Sequence, residues 1–600
     1  MSRSAHLLLV LCFVAASPVS FAQSSAPQTA NAPSPATAQW RAIVADFEAN
    51  ERRESPFDAG QEGDRDALAR LPDLTPAGDA RRLAAMHDFA RRLAALDANK
   101  LDPEAKFNHA FLKRVVDERI EEARFDGARL AFDSEGGPGG TLNYFGRDTR
   151  IAGRADADAW MKRLAAMPGY YSDTIANARR GITTRFTQPR STVESAIKLA
   201  RAEVAIPADA DPLLQPFAKP WPGVAAKDQA DMRAEAARLV AEKIVPARKQ
   251  WLAFLEMEYL PAARAQLGLG SLDGGREYYS FLARAYTTTA MTPDEIHAVG
   301  KSEVARIRAA MDLQVAASEF KGSFPEFLAW LRSDPRFYAK SRTELMEKAS
   351  EMAKRADNGL PALFRKSLPR LSYGVRPVPR EIEDQYTTGR YSAGSLQLGV
   401  AGGYLVNTGR LDQRPLYELP ALTLHEAVPG HHLQIAIAQE LAEQPWFRRN
   451  ADVTAFTEGW GLYSEFLGEE MGFYRDPFER FGRLSYEMWR ACRLVADTGI
   501  HWMGWTVEQA RACFRDNSAL APHNIETELQ RYVGWPGQAL GYKIGELKLK
   551  SLRERASAAL GDKFDVREFH DTLLLGGAMP LAMLEARVEA WIGEKKKLAP

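Results

Sequence analysis

The 600-residue chain carries 78 Lys plus Arg against 78 Asp plus Glu, with 46% hydrophobic and 26% charged residues. This balance leaves no global field to draw phosphates or anionic lipid, which excludes nucleic acid as an expected partner, and ordinary globular usage excludes disordered and fibrous classes. The length exceeds what one core serves, so a large two-lobed shell around a cleft is expected.

At the start, Arg3 precedes an apolar run from Leu7 to Ala16 and then Ser20-Phe21-Ala22. This pattern predicts a secretory leader cleaved after Ala22, since the run is shorter than the roughly 20 residues of a membrane span. Leu11 stands before Cys12 where lipid attachment would need a small residue. The mature chain is therefore expected in the periplasm or the medium, with no membrane segment. Residues 23–39, rich in Ser, Ala, Pro, Thr and Gln, predict a disordered tether. One two-lobed unit is expected from Trp40 to Pro600.

Apolar residues then recur at helical spacing, as in Arg81 to Leu96 and Ala105 to Phe125. The glycine-rich stretch from Ser134 to Gly140 reads as a plain loop, and Gly268 to Ser271 as punctuation, because neither has the setting of a phosphate cradle. Thr292-Pro293-Asp294-Glu295 predicts a capping box opening a helix that runs to about Glu319. Between Leu371 and Thr408 the texture changes to Gly, Pro, Tyr, Val and Thr, predicting a small sheet that includes Tyr404 to Asn407. Helical patterning resumes near Leu416, so the expected architecture is mainly α with one small sheet near the site. Cys492 and Cys513 flank the turn Gly504-Trp505-Thr506. A disulfide across a helical hairpin and two buried thiols are both open readings.

Four of the ten histidines, His425, His431, His432 and His501, fall in a small fraction of the chain. In a His-Glu-x-x-His helix two imidazoles one turn apart share a zinc ion and the Glu activates water. Here His431 and His432 lie six and seven residues after His425. On a regular helix the first pair would point about 120° apart and the second would align about 10 Å apart. Two donors on one zinc ion stand at most about 4.2 Å apart, so the backbone must deform. Pro429-Gly430 supplies the means, Pro by removing a helical hydrogen bond and Gly by tolerating unusual dihedrals. His431 is then the expected second ligand, with His432 either the alternative ligand or a neighbouring contact. Glu458 is the expected third ligand, because a carboxylate within the apolar segment from Thr457 to Glu465 is costly unless paired or metal-bound. Glu465 is placed to orient a ligand histidine. A capped, solvated helix end would explain the histidines alone but not the adjoining Glu426 and the later Glu458.

The segment His425-Glu426-Ala427-Val428-Pro429-Gly430-His431-His432 resembles the His-Glu-x-x-Pro-Gly-His-His hallmark of the bacterial "domain of unknown function 885" family. Thr292 to His297, Gly403 to Thr408, Thr457 to Trp460 and Arg531 to Ala539 also look like pieces of it. That family is similar in site logic to helical zinc peptidases of the gluzincin group, such as angiotensin-converting enzyme and thimet-type oligopeptidases. The resemblance implies a cleft between helical lobes, a glutamate ligand matched by Glu458, and an edge strand for an extended peptide matched by Tyr404 to Asn407. The expected function is zinc-dependent hydrolysis of a peptide substrate, of oligopeptidase or carboxypeptidase/dipeptidase type; the alternative is a catalytically silent zinc-binding protein of the same fold. Glu426 would move the proton from zinc-bound water to the leaving amine. By analogy with a His and Tyr pair in those peptidases, His501 and Tyr542 would steady the oxyanion. Arg493, Arg531 and Lys543 are the candidates for a substrate's C-terminal carboxylate. No Gly-x-Ser-x-Gly elbow supports a serine hydrolase.

Overall fold

The structure, a computed structural model, describes residues 34–597 apart from Glu135 and Glu381. The leader and most of the expected tether lie outside those residues. The tether's last part is not a coil: a helix spans Pro35–Glu54, opened by Ser34 Oγ accepting from the Thr37 N–H and by Pro at the first position. Its apolar stripe Trp40, Ile43 and Phe47 is buried. Proline and alanine at the start of this segment mark a helix opening that composition alone conceals. The stretch read as a plain loop likewise opens a helix at its second half, Pro138–Asp148, with Gly137 as the cap residue.

Elsewhere the local chemistry acts as expected. Thr292 caps the helix Pro293–Ala317 and Glu295 reaches back to the Thr292 N–H at 2.8 Å. Of the two open readings for Cys492 and Cys513 the disulfide is the one formed, with their Cα atoms 5.7 Å apart, joining the helices Pro477–His501 and Val507–Asn517.

The fold is mainly helical, and its apolar side chains gather into two large cores. One draws on residues between Phe57 and Tyr259, including Trp160, Trp251 and Tyr171. The other draws on the first helix, the helices beyond Ile307 and the sheet, including Tyr404, Trp460 and Trp489. A smaller cluster holds Tyr279, Leu494, Leu540 and Ile544. Phe47, Phe111 and Phe447 of the second core and Ile151, packed against the first, face a cleft of about 1980 Å³.

The sheet has three strands, β1 (Tyr373–Pro377), β2 (Gly389–Ser392) and β3 (Gly402–Val406), in the order β1-β3-β2. β3 pairs parallel with β1 and antiparallel with β2, with Tyr404 opposite Val375 on one side and Tyr391 on the other. The Tyr404 to Asn407 segment is thus central, both flanks are already paired, and it cannot take up a peptide as an edge strand. Asn407 lies just past β3, its amide within 2.8–3.0 Å of the carbonyls of Glu383, Tyr386 and Thr387. It holds a loop rather than a substrate.

Two helices of the site region, Thr454–Glu470 and Gly541–Leu560, cross at a pair of glycines. A Cβ on Gly545 would lie 1.9 Å from the Ala455 carbonyl oxygen and 2.8 Å from Gly459 Cα. Gly545→Ala must push these helices apart and is expected to lower stability by about 1–3 kcal/mol in denaturant titration. An unchanged midpoint would mean the crossing is loose.

Candidate metal centre

The helix Leu419–Glu426 is buried along its whole length and presents His425 in its last turn. It stops there because Pro429 offers no N–H. The chain leaves helical dihedrals at Ala427, passes a cis Val428–Pro429 peptide, and re-enters a helix at His431–Glu440. Gly430 is packed against the helix it has just left: a Cβ there would lie 1.9 Å from the His425 carbonyl oxygen. Trp460 Nε1 donates to the Pro429 carbonyl at 2.8 Å and the His432 N–H to the Ala427 carbonyl at 3.1 Å, fixing the loop. The expected deformation occurs, and it brings the His425 and His431 rings to a centroid distance of 4.7 Å, nearly perpendicular.

Glu458 reaches the same point from the helix Thr454–Glu470. Its Oε2 lies 3.4 Å from His425 Nε2 and 3.4 Å from His431 Nε2. Donor atoms held about 2.1 Å from one tetrahedral ion stand about 3.4 Å apart. One donor atom from each of the three residues lies within 4.8 Å of the other two. Glu458 Oε2 and His431 Nδ1 are buried without a hydrogen-bond partner. The side chains of Glu458 and His431 retain 19% and 10% exposure, so the cluster lies just beneath the surface. The donors therefore fit a three-ligand metal ion with a free position.

Electrostatics point the same way. Burial would raise the Glu458 carboxyl, but the imidazoles of His431 and His425 outweigh it and hold it well below the usual carboxylate range. Burial would depress His425, yet the carboxylates of Glu458 and Glu465 lift it to about 9. The pocket stabilises positive charge.

Behind the donors stands a supporting layer. Glu465 Oε1 accepts from His425 Nδ1 at 2.8 Å, which holds the ring with Nε2 turned toward Glu458. Arg490 Nη2 lies 2.9 Å from the same Glu465 oxygen. A Cβ on Gly461 would come within 2.6 Å of His425 Cε1, so this position clears room for the ring. The segment Thr457-Glu458-Gly459-Trp460-Gly461 thus carries a donor, a helix crossing, the loop anchor and the ring clearance on consecutive residues. Sequence reasoning missed Arg490. An arginine flanked by Met488, Trp489 and Ala491 was the available sign, since a buried guanidinium needs an anion.

Glu426 follows His425 directly and is 7% exposed. Tyr542 is also gathered here: burial and the nearby Glu458 charge raise its hydroxyl, and Arg493 stacks over its ring at 4.0 Å.

Other expected site residues are committed elsewhere. His501 is fully engaged by backbone, Nδ1 accepting from the Leu269 N–H at 3.0 Å and Nε2 meeting the Tyr532 carbonyl at 2.9 Å. Burial depresses it to about 3. It staples two segments and has no nitrogen left for an oxyanion, and Gly268 to Ser271 is the turn it holds. His432 stands outside the cluster: Nδ1 pairs with the Tyr391 hydroxyl at 2.9 Å, the ring packs on Tyr373 at 4.5 Å, and burial pushes it down to about 4. Tyr404 is buried with its hydroxyl 3.3 Å from Thr423 Oγ1, supporting the His425 helix from below. Lys543 is fully buried among Glu303, Glu487 and Glu546 at 2.9, 2.8 and 2.5 Å, so no substrate carboxylate can claim it. Arg531 bonds Gln538 and Glu528, and Arg493 bonds Tyr532 and the same Glu528.

The cleft wall ends at Asp452, Val453 and Thr454, one helical turn before Glu458. Burial and the Glu458 charge raise the Asp452 carboxyl. Ser392 to Leu398, continuing from β2, line the same cleft.

A mainly helical protein with a small sheet and a buried cluster of two histidines and one glutamate is the class these features define. The chain belongs to the bacterial family of proteins of unknown function designated DUF885, whose profile matches residues 56–588. A solved structure titled as a putative lipoprotein from Colwellia psychrerythraea is 28% identical, with a TM-score of 0.87 over 93% of this chain and 99% of that one. A putative lipoprotein of unknown function from Shewanella oneidensis shares the fold at 18% identity, with a TM-score of 0.69 over 92% of this chain and 99% of the other. No curated protein matches the chain.

Removing the carboxylate that orients His425, as in Glu465→Ala, is expected to weaken binding of a divalent metal ion roughly 10- to 100-fold in calorimetric titration. Equal affinity would show that the imidazole is held without it.

Proposed function

We propose that the chain is a zinc-dependent peptide hydrolase with His425, His431 and Glu458 as metal ligands and Glu426 as the general base. The observation that carries this reading is the placement of one carboxylate oxygen 3.4 Å from two imidazole nitrogens that a broken helix has turned toward it. Two nitrogens and an oxygen with no thiolate, three donors rather than four, are the donor pattern of hydrolytic rather than structural zinc sites. Bound there, the ion would supply Lewis acidity to a substrate carbonyl and lower the pKa of water. Glu426 takes the proton released as water attacks and delivers it to the leaving amine. Tyr542 is the remaining donor for the developing oxyanion, since His501 has no free nitrogen.

A cleft of about 1980 Å³ is larger than the roughly 300–1,000 Å³ of small-molecule sites and suits an extended oligopeptide. The segment after β2, rather than β3, offers backbone to it. Among the described residues no helix is long and apolar enough to cross a membrane. We place the protein in the periplasm or medium on three supports: the leader-like first 22 residues, the disulfide, and relatives titled as putative lipoproteins.

The test is digestion of a mixed peptide pool by the purified full chain, read by mass spectrometry with and without chelator, alongside its zinc content. Glu426→Gln is expected to keep zinc while kcat falls about 10²- to 10⁴-fold; His425→Ala and Glu458→Ala are expected to lose both. Zinc binding with no cleavage by the native chain would leave only the silent binding protein.

A further inference from the structure

At the opposite end of the helix that carries His425 and Glu426 lies a small cavity of about 20 Å³, walled by Thr388, Asn407, Arg414, Glu418, Leu422 and Tyr486 among others. These six are all buried. Five polar atoms there are buried without a protein hydrogen-bond partner: Thr388 Oγ1, Arg414 Nε and Nη2, Glu418 Oε1 and the Tyr486 hydroxyl. Such groups in folded proteins are almost always paired, with protein or with ordered water. A cavity of about 10–15 Å³ suffices for one water molecule.

The charges around the cavity select its occupant. A cation drawn to Glu418 would face the Arg414 guanidinium, while burial raises the Glu418 carboxyl to about 8 so that it offers a hydrogen-bonding group rather than a full charge. A volume of about 20 Å³ suits one small molecule. A neutral molecule that both donates and accepts satisfies both walls. We propose that this cavity is an internal water site, the water donating to Glu418 Oε1 and accepting from Arg414 and the Tyr486 hydroxyl.

Its place gives it a role. Glu418 immediately precedes the helix Leu419–Glu426, Thr388 adjoins β2, and Tyr486 lies one turn before Arg490 on the helix Pro477–His501. Arg490 Nη1 bonds the Tyr486 carbonyl at 3.2 Å while its Nη2 holds Glu465. The water thus joins two of the elements that set the position of His425: the helix that bears it, through Glu418, and the helix that braces Glu465, through Tyr486.

The experiment is a crystal structure of the full-length protein at a resolution that shows ordered water, with a second crystal soaked in bromide. One rounded density peak is expected within about 2.7–3.2 Å of Glu418 Oε1 and of an Arg414 nitrogen or the Tyr486 hydroxyl, with no bromide anomalous signal. Tyr486→Phe leaves two partners and is expected to keep the peak, whereas Glu418→Leu is expected to lose it. A bromide peak in the cavity, or side chains collapsed onto one another with no density between them, overturns the proposal.

Discussion

A carboxylate cannot sit in the interior of a helical core without something positive to face, and Glu458 is such a carboxylate, held between the imidazoles of His425 and His431. Much of the surrounding architecture answers to that constraint. The His425 helix must end early so that a second histidine can swing into reach, which is what the Pro429-Gly430 break achieves. The Glu458 helix must approach closely enough to deliver its oxygen, and the Gly459–Gly545 crossing and the cleared space at Gly461 allow it. Glu465 and Arg490 then fix the tilt of the nearer ring.

The sequence was most legible where one residue type leaves few structural choices. A histidine pair six apart cannot share an ion on an intact helix, so the proline and glycine between them had to be a break, and the structure shows one. A glutamate inside an apolar helical stretch had to be compensated, and Glu458 is. The capping box at Thr292 needed only local chemistry to form. The two cysteines were nearly legible, since distance from a turn permits a bridge without requiring it.

What stayed hidden depends on partners far away in the chain. Whether Tyr404 to Asn407 is an edge or a centre is decided by β1 and β2, which flank it from either side. His501 and Lys543 carry the same chemistry whether they serve a substrate or satisfy buried neighbours. Only the structure reveals that His501 spends both nitrogens on the backbone at Leu269 and Tyr532, and Lys543 its charge on three glutamates. The helix at Pro35 was obscured because its polar composition matches that of a linker while its stripe from Trp40 to Phe47 does not.

The two large cores bear on the cleft in unequal ways. The helices that carry His425, His431 and Glu458 contribute Leu424, Leu433 and Trp460 to the same core, while Asp58, Tyr144 and Gln215 on the facing wall belong to segments of the other. Breathing between the cores would therefore alter the width of the entrance while leaving the donor spacing untouched. The width of the cleft and the spacing of His425, His431 and Glu458 are thus set by different packing, and one can change without the other.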